Sequence, residues 1–261
     1  TDNTTAVNAE VERLRWIGAA VEAWPPERVR EVLPNARYFG ALHFPGAMHI
    51  HPLNYCLGLA AAAEKFGARI FEGSAAVKID PAGVRKRIET GEGRLRAMHV
   101  VLACNVQLGA LMPRLGATLL PITTYVLVTG PIAGLADTVR YRGAVSDTNR
   151  ADNHYRVVDG NRLQWSGRMR AWQADPPWIG RSLVADIRRN FPALGKIEVA
   201  HLWRGTLGRA VHRMPQIGEI ESGLWVASGF GGHGLNTSAM GGELVARGIV
   251  ENDPTWRLVA P

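Results

Sequence analysis

Long apolar runs are missing from this sequence, and so is a cysteine framework. No apolar stretch reaches the roughly 18–20 residues that cross a bilayer, and no leader pattern opens the chain. Two cysteines in 261 residues, Cys56 and Cys104, are too few for a disulfide scaffold. Both lie in apolar sequence, which points to a reduced, cytoplasmic chain. Internal repeats and low-complexity linkers are absent. There is no Gly-x-Ser-x-Gly elbow and no Cys–His pair at a nucleophile's spacing. Acidic residues are the scarcer charge: 30 Lys and Arg stand against 23 Asp and Glu, a net +7. The arginines are dispersed, with no run denser than VRKR (84–87) or GRMR (167–170). That spread suits small anionic ligands better than nucleic acid, which is not expected as a partner.

What is present is an ordinary globular composition, 46% hydrophobic and 20% charged, long enough for one or two domains. Val7, Val11, Leu14, Ile17 and Val21 repeat at helical spacing over residues 6–23, and Pro25-Pro26 ends that pattern. Pro26 then opens a short helix to Leu33. The clearest helix is HPLNYCLGLAAAAEKFGA (51–68), with Pro52 in its first turn and Leu53, Cys56, Leu57, Ala60 and Ala63 on one face. ARIFEGSAAVKID (68–80) reads as a strand. VRKRIET and LRAMHVVLAC read as a hairpin around Gly91-Glu92-Gly93. Strand-like runs at 119–129, 142–147, 153–158 and 161–167 follow with short turns, which favours an antiparallel sheet. GRSLVADIRRNFPAL is helical, IEVAHLWRG and GLWVASG are strands, and residues 236–250 are helical. The fold class expected is α+β, or mixed α/β. Its expected segments are helical 1–40, layered 41–118, antiparallel 119–205 and a closing loop and helix at 206–261.

The closing stretch VASGFGGHGLNTSAMGGELVA (226–246) runs a strand, Trp225 to Ala227, into Gly229, Gly231, Gly232 and Gly234, and then into a helix. A strand that ends in glycines before a helix N-terminus brings backbone N–H groups close to an electron-rich ligand. A tight turn that only packs the helix on the sheet has the same pattern, so glycine alone leaves both readings open.

Order adds to this. MPQIGEIESGLWVASGFGGHGLNTSAMGGELVARGIV (214–250) resembles the C-terminal flavin loop of the FAD-dependent D-amino-acid oxidase and glycine (sarcosine) oxidase family. YFGALHFPGAMHIHPLNYCLGLAAAAEKFGARIFEGSAAVKID (38–80) and VVLACNVQLGALMPRLG (100–116) are similar to its middle segments. LLPITTYVLVTGPI (119–132) and YRVVDGNRLQWSGR (155–168) are similar to the sheet of its substrate domain. The likeness is collinear over about residues 30–250 and nearest to the branch acting on amines such as glutamylated putrescine. One departure stands out. The family's opening strand–GxGxxG–helix unit has no counterpart here. The expectation is therefore a fragment of a longer protein, or a chain completed by a complementary N-terminal segment, which on its own holds FAD weakly. The other reading is a non-catalytic binding protein that has lost the cofactor unit.

The resemblance implies non-covalent FAD, since no cysteine lies in WRGTLGRAVHRMPQIG (203–218), and oxidation of an amine or amino-acid C–N bond. It places Val77, Ala103, Cys104, Gly229, Phe230, Gly231, Gly232, His233, Gly234 and Leu235 along the cofactor. His233 either meets the flavin or caps the helix. For the substrate it points to His49, Tyr125, Trp165, Arg168 and Arg204, with Arg209 in the same region, because guanidinium forks bind carboxylates. The catalytic residue stays unassigned. His43, His49 and His51 lie close in sequence, yet no further ligand completes a metal set, so capping or pocket lining is expected of them.

Overall fold

The structure is a computed structural model that describes residues 4–148, 153–171 and 175–260. In chain order its elements are α1 (Thr4–Trp16), β1 (Glu22–Trp24), α2 (Pro26–Val32), β2 (Ala41–His43), α3 (Pro52–Lys65), β3 (Ala76–Asp80), β4 (Lys86–Thr90), β5 (Arg94–Ala97) and β6 (Val100–Leu102). Then come α4 (Pro113–Gly116), β7 (Leu119–Thr129), α5 (Leu135–Thr138), β8 (Val145–Ser146), β9 (His154–Val158) and β10 (Arg162–Arg170). The chain closes with α6 (Ile179–Asn190), β11 (Val199–Ala210), β12 (Gln216–Glu221), β13 (Leu224–Ser228) and α7 (Gly234–Val250). The architecture is mixed α and β with antiparallel sheets. It divides into two compact units. One holds the chain up to Ile50, Thr124–Met169 and the stretch ending at Gly205; the other holds His51–Thr123 and the chain from Thr206.

The first unit is organised by a five-stranded sheet in the order β11-β7-β10-β9-β8. β9 runs antiparallel to both neighbours, with Arg156 opposite Gln164. β7 and β11 are antiparallel as well, since Val211 N–H reaches the Thr118 carbonyl at one end and Gly130 N–H the Glu198 carbonyl at the other. Strand geometry sends alternate side chains to opposite faces. Along β7, β9 and β10 the odd-numbered residues are buried, Pro121 and Met169 excepted, and the even-numbered ones are half-buried or exposed. The odd face carries Tyr125, Leu127, Tyr155, Val157, Leu163 and Trp165 into one core with Leu183, Ile187 and Phe191 of α6. α6 supplies these because Ile179, Leu183, Ile187 and Asn190 repeat at helical spacing on its buried side. Tyr155 stacks on Trp165 at 4.6 Å, and Phe191 meets both rings edge-on. Each such side chain, fully buried, stabilises the fold by about 1.5–3 kcal/mol.

The second unit has two three-stranded sheets, β3-β4-β5 and β12-β13-β6. Against the latter lies α7, with Val245 in a cluster that includes Ile217, Trp225 and Trp256. Gly248 makes that approach possible: a Cβ there would stand 2.7 Å from the Trp225 ring.

Three expectations need correction. The strand expected from Ala68 begins only at Ala76, and residues 68–71 have no strand partner among the described residues. A strand is defined by its ladder, and apolar β-branched sequence alone does not supply one. The apolar face of α3 buries nothing. The periodicity fixed the helix but not a partner for it. The first helix stops at Trp16, and residues 22–24, expected at its end, form β1 instead, pairing with β2. Gly18, at a φ of 84°, breaks the helix there because left-handed backbone suits glycine.

Candidate cofactor and substrate sites

In the second unit the geometry is set by one parallel strand pair. β13 runs parallel to β6, with Leu224 opposite Val100, Trp225 opposite Val101 and Val226 opposite Leu102. Their carboxyl ends therefore lie side by side at one edge of the sheet. Ligands of α/β layers settle outside the carboxyl ends of such strands, where the following loops open. Ala103 and Cys104 leave β6 at this edge with both residues exposed. The glycine loop leaves β13 at the same edge.

The loop is shaped by backbone that other residues adopt at a cost. Gly229 has a φ of 71° and Gly231 a φ of 56°, both left-handed. Gly231–His233 form a single 3-10 turn, and α7 starts at Gly234. Nothing lies within 4 Å of where a Cβ of Gly232 would sit. Gly232 and His233 are exposed, Gly231 and Gly234 half-buried, and Leu235 is exposed. The first N–H groups of α7 have no acceptors within the helix, and the dipole there is positive. His233 occupies the N-cap position but makes no side-chain cap; its carbonyl instead accepts the Thr237 hydroxyl at 2.6 Å. Phe230 turns the other way: a Cβ at Gly241 would stand 3.1 Å from its ring, so its role is to seat α7. Val77 is the extra residue of a bulge in β3, between Ala76 opposite Thr90 and Lys78 opposite Glu89, and it is 64% exposed. Both cysteines are free, and both are exposed despite their apolar sequence surroundings.

The residues expected at the substrate fall in the first unit, and the structure separates them. Tyr125 is 1% and Trp165 0% exposed, because odd numbering puts them on the α6 side of the sheet. They build the core and offer no open surface. Arg168 is also taken up. Its φ of 61° departs from strand geometry and breaks the alternation. Its guanidinium grips Asp186 of α6 in a fork, at 2.7 and 2.8 Å. Arg189 adds a third bond to the same carboxylate at 3.0 Å. Arg204 pairs with Asp175 at 3.2 Å. Arg209 makes a backbone bridge with Phe230 in the second unit.

The three neighbouring histidines go to three different partners. His43 stacks on Trp24 at 4.2 Å and meets Glu22 at 3.0 Å. His51 caps α3 by accepting the Asn54 N–H. His49 stands 3.2 Å from Arg156. No group of three or more His, Cys, Asp or Glu among the described residues is placed to hold a metal ion. Arg156, the partner of His49, lies half-buried on the even-numbered face of the sheet.

A fold of this kind is shared with solved structures. Glycine oxidase from Bacillus cereus superposes with a TM-score of 0.84 over 99% of this chain and 72% of its own, at 19% identity. In sequence, gamma-glutamylputrescine oxidoreductase of Escherichia coli is 31% identical over 238 residues, 89% of this chain and 55% of that protein. Glycine oxidase of Bacillus licheniformis is 25% identical over 92% of this chain and 66% of its own. The pattern of the DAO family, described as FAD dependent oxidoreductase, matches residues 2–247, and the chain belongs to that family. It spans about half the length of the curated relatives it matches first, 55% of the Escherichia coli protein.

Proposed function

We propose that this chain forms part of an FAD-dependent oxidoreductase that oxidises the C–N bond of an amine or amino acid. The observation that carries the reading is the pairing of the β6 and β13 carboxyl ends beside an exposed glycine loop and the N-terminus of α7. These residues fit a flavin. The open space at Gly232 admits a flat ring against backbone, and the positive end of α7 favours the electron-rich edge of that ring. Ala103, Cys104, Gly229, Gly231, Gly232, His233, Gly234 and Leu235 would hold it, with Phe230 seating the helix and Val77 presenting its bulge toward the adenine end. When bound, FAD supplies a two-electron acceptor for removing hydride from carbon next to nitrogen. The protein's own part is to fix the ring by backbone N–H groups and to orient the amine.

The relatives named for gamma-glutamylputrescine and for glycine support a small amine or amino acid as substrate. No helix among the described residues is long and apolar enough to cross a membrane. Two free thiols suit a reducing compartment, and we place the protein in the cytoplasm on that ground. The test is a visible absorbance spectrum of the protein expressed from its complete reading frame, followed by anaerobic addition of candidate amines. Flavin bands that bleach on addition support the proposal. Protein without flavin bands, before and after incubation with FAD, refutes it.

A further inference from the structure

The outer edge of the first unit's sheet is a strand that nothing covers among the described residues. β11 ends the strand order and pairs only with β7. Every residue from Val199 to Arg204 is exposed. Its apolar side chains share that exposure, Val199 at 43%, Leu202 at 42% and Trp203 at 47%. The Glu198 carbonyl accepts the N–H of Gly130, just past β7. Antiparallel pairing alternates inward and outward backbone groups, so the N–H and carbonyl of Val199 and His201 point away from β7. Free edges are ordinarily blunted by lysine, proline, inward-pointing charge or a covering segment. Val199-Ala200-His201-Leu202-Trp203 has no lysine, proline or acid.

A groove runs beside this edge, lined by Arg181, Val184, Ala185 and Arg188 of α6 and by Ile197 and Val199. All of it lies in the first unit. Arg181, Ala185 and Arg188 stand in line on α6 because successive members are four and three residues apart. The rise of a helix sets the two arginines about 10 Å apart along its axis. Both are exposed and have no acidic partner among the described residues, whereas Arg189 is taken by Asp186 and Lys196 by Glu198. The groove therefore has an apolar floor, a cationic rim and a row of free backbone groups. We infer that it docks an extended acidic segment of a partner protein, which adds a strand to the five of the sheet beside β11 and sets carboxylates on Arg181 and Arg188. Side chains on one face of a strand recur about every 7 Å, so acids alternating with apolar residues reach both arginines. The net charge of +7 favours encounter with such a segment. A second copy of this chain suits the edge less well. Antiparallel pairing of β11 with its symmetry mate sets the two α6 arginine rows against each other, and like charges at a contact oppose it.

The test uses the protein expressed from its complete reading frame and fluorescein-tagged seven-residue peptides, read by anisotropy. The probe alternates Glu and Val, beginning and ending on Glu. One control has Lys for every Glu, and the other keeps the sequence but carries a methyl group on every peptide nitrogen, which removes the strand's donors. The acidic probe should bind at micromolar concentration, at least tenfold more tightly than either control. R181Q/R188Q should weaken it roughly three- to thirtyfold, the range of two exposed ion pairs, with Tm unchanged because neither side chain holds an acidic partner. H201P removes an outward N–H, a place where an edge strand tolerates proline, and should weaken the probe about tenfold. Should H201P lower Tm, R181Q/R188Q and the methylated peptide decide. No binding of the acidic probe, equal binding of either control peptide, or unchanged affinity in R181Q/R188Q would each overturn the inference. Dimerisation in sedimentation that H201P abolishes would assign the edge to a second copy and overturn it as well.

Discussion

Replacing Gly248 by alanine and Gly232 by alanine separates packing from ligand contact. A methyl group at Gly248 would stand 2.7 and 2.9 Å from Trp225 ring atoms and 3.0 Å from Trp256, closer than carbon atoms approach. α7 must lift or the rings must turn, and forced overpacking of this sort costs about 1–3 kcal/mol. For a chain of this size each kcal/mol lowers Tm by roughly 2–4 °C, so G248A should fall by about 2–12 °C. A methyl at Gly232 meets nothing within 4 Å, and its backbone lies outside the left-handed region. G232A should therefore stay within about 0.5 kcal/mol of the parent. If a flavin ring rests against this backbone, however, the added methyl occupies its place, and FAD affinity should drop at least tenfold. Scanning calorimetry gives the first quantity and a flavin titration the second. An unchanged Tm in G248A would refute the packing argument. Unchanged flavin affinity in G232A would refute the contact.

Further outcomes follow from other parts of the fold. Removing the Asp186 carboxylate in D186A strips Arg168 of its fork and Arg189 of its partner; the cost should be about 2–3 kcal/mol by denaturant unfolding, toward the lower end for a buried pair because Arg168 is partly exposed. Alkaline stability should report Tyr38 and Tyr155, whose hydroxyls meet at 2.9 Å. Burial pushes Tyr38 up to about 12 and raises Tyr155 as well, with the neighbouring Tyr38 adding to it. Below pH 10 both phenols are protonated, folded or unfolded, and their contribution is intact. From about pH 10 to 12 the unfolded chain releases protons that the fold keeps, so stability should fall by up to ~1.4 kcal/mol per pH unit for each tyrosine; Y38F should make this decline shallower. Finally, Cys56 and Cys104 should both react with a thiol reagent in native buffer, and bound FAD should slow Cys104 while leaving Cys56 unchanged.

The sequence carried the elements whose signals are local. Pro52 and the helical repeat after it mark α3, Gly91-Glu92-Gly93 marks the β4–β5 hairpin, and Gly229 to Gly234 mark the junction into α7. What it did not carry is what each element faces. Alternation along 155–158 and 162–168 shows that β9 and β10 have two unlike faces, but which face meets α6 depends on the partner helix. The resemblance points to Tyr125 and Trp165 for the substrate, but their odd numbering puts both in the core beside Phe191 of the α6 side. Asp186 and Asp175, which hold Arg168 and Arg204, lie at sequence separations no local pattern spans. β12 was hidden for a similar reason: QIGEIE is a weak strand by composition, and its pairing with β13 defines it. In the loop, composition located the left-handed glycines Gly229 and Gly231, while the parallel β6–β13 pairing that brings Cys104 to the same edge is a long-range fact.

The central claim is that the edge formed by the β6 and β13 carboxyl ends is the flavin site. Amide hydrogen exchange on the protein expressed from its complete reading frame, with FAD bound and after its removal, tests it most directly. The account predicts that FAD slows exchange in residues 103–104 and 229–235, with α6 unchanged. Bound flavin that leaves 229–235 exchanging at the flavin-free rate would contradict it.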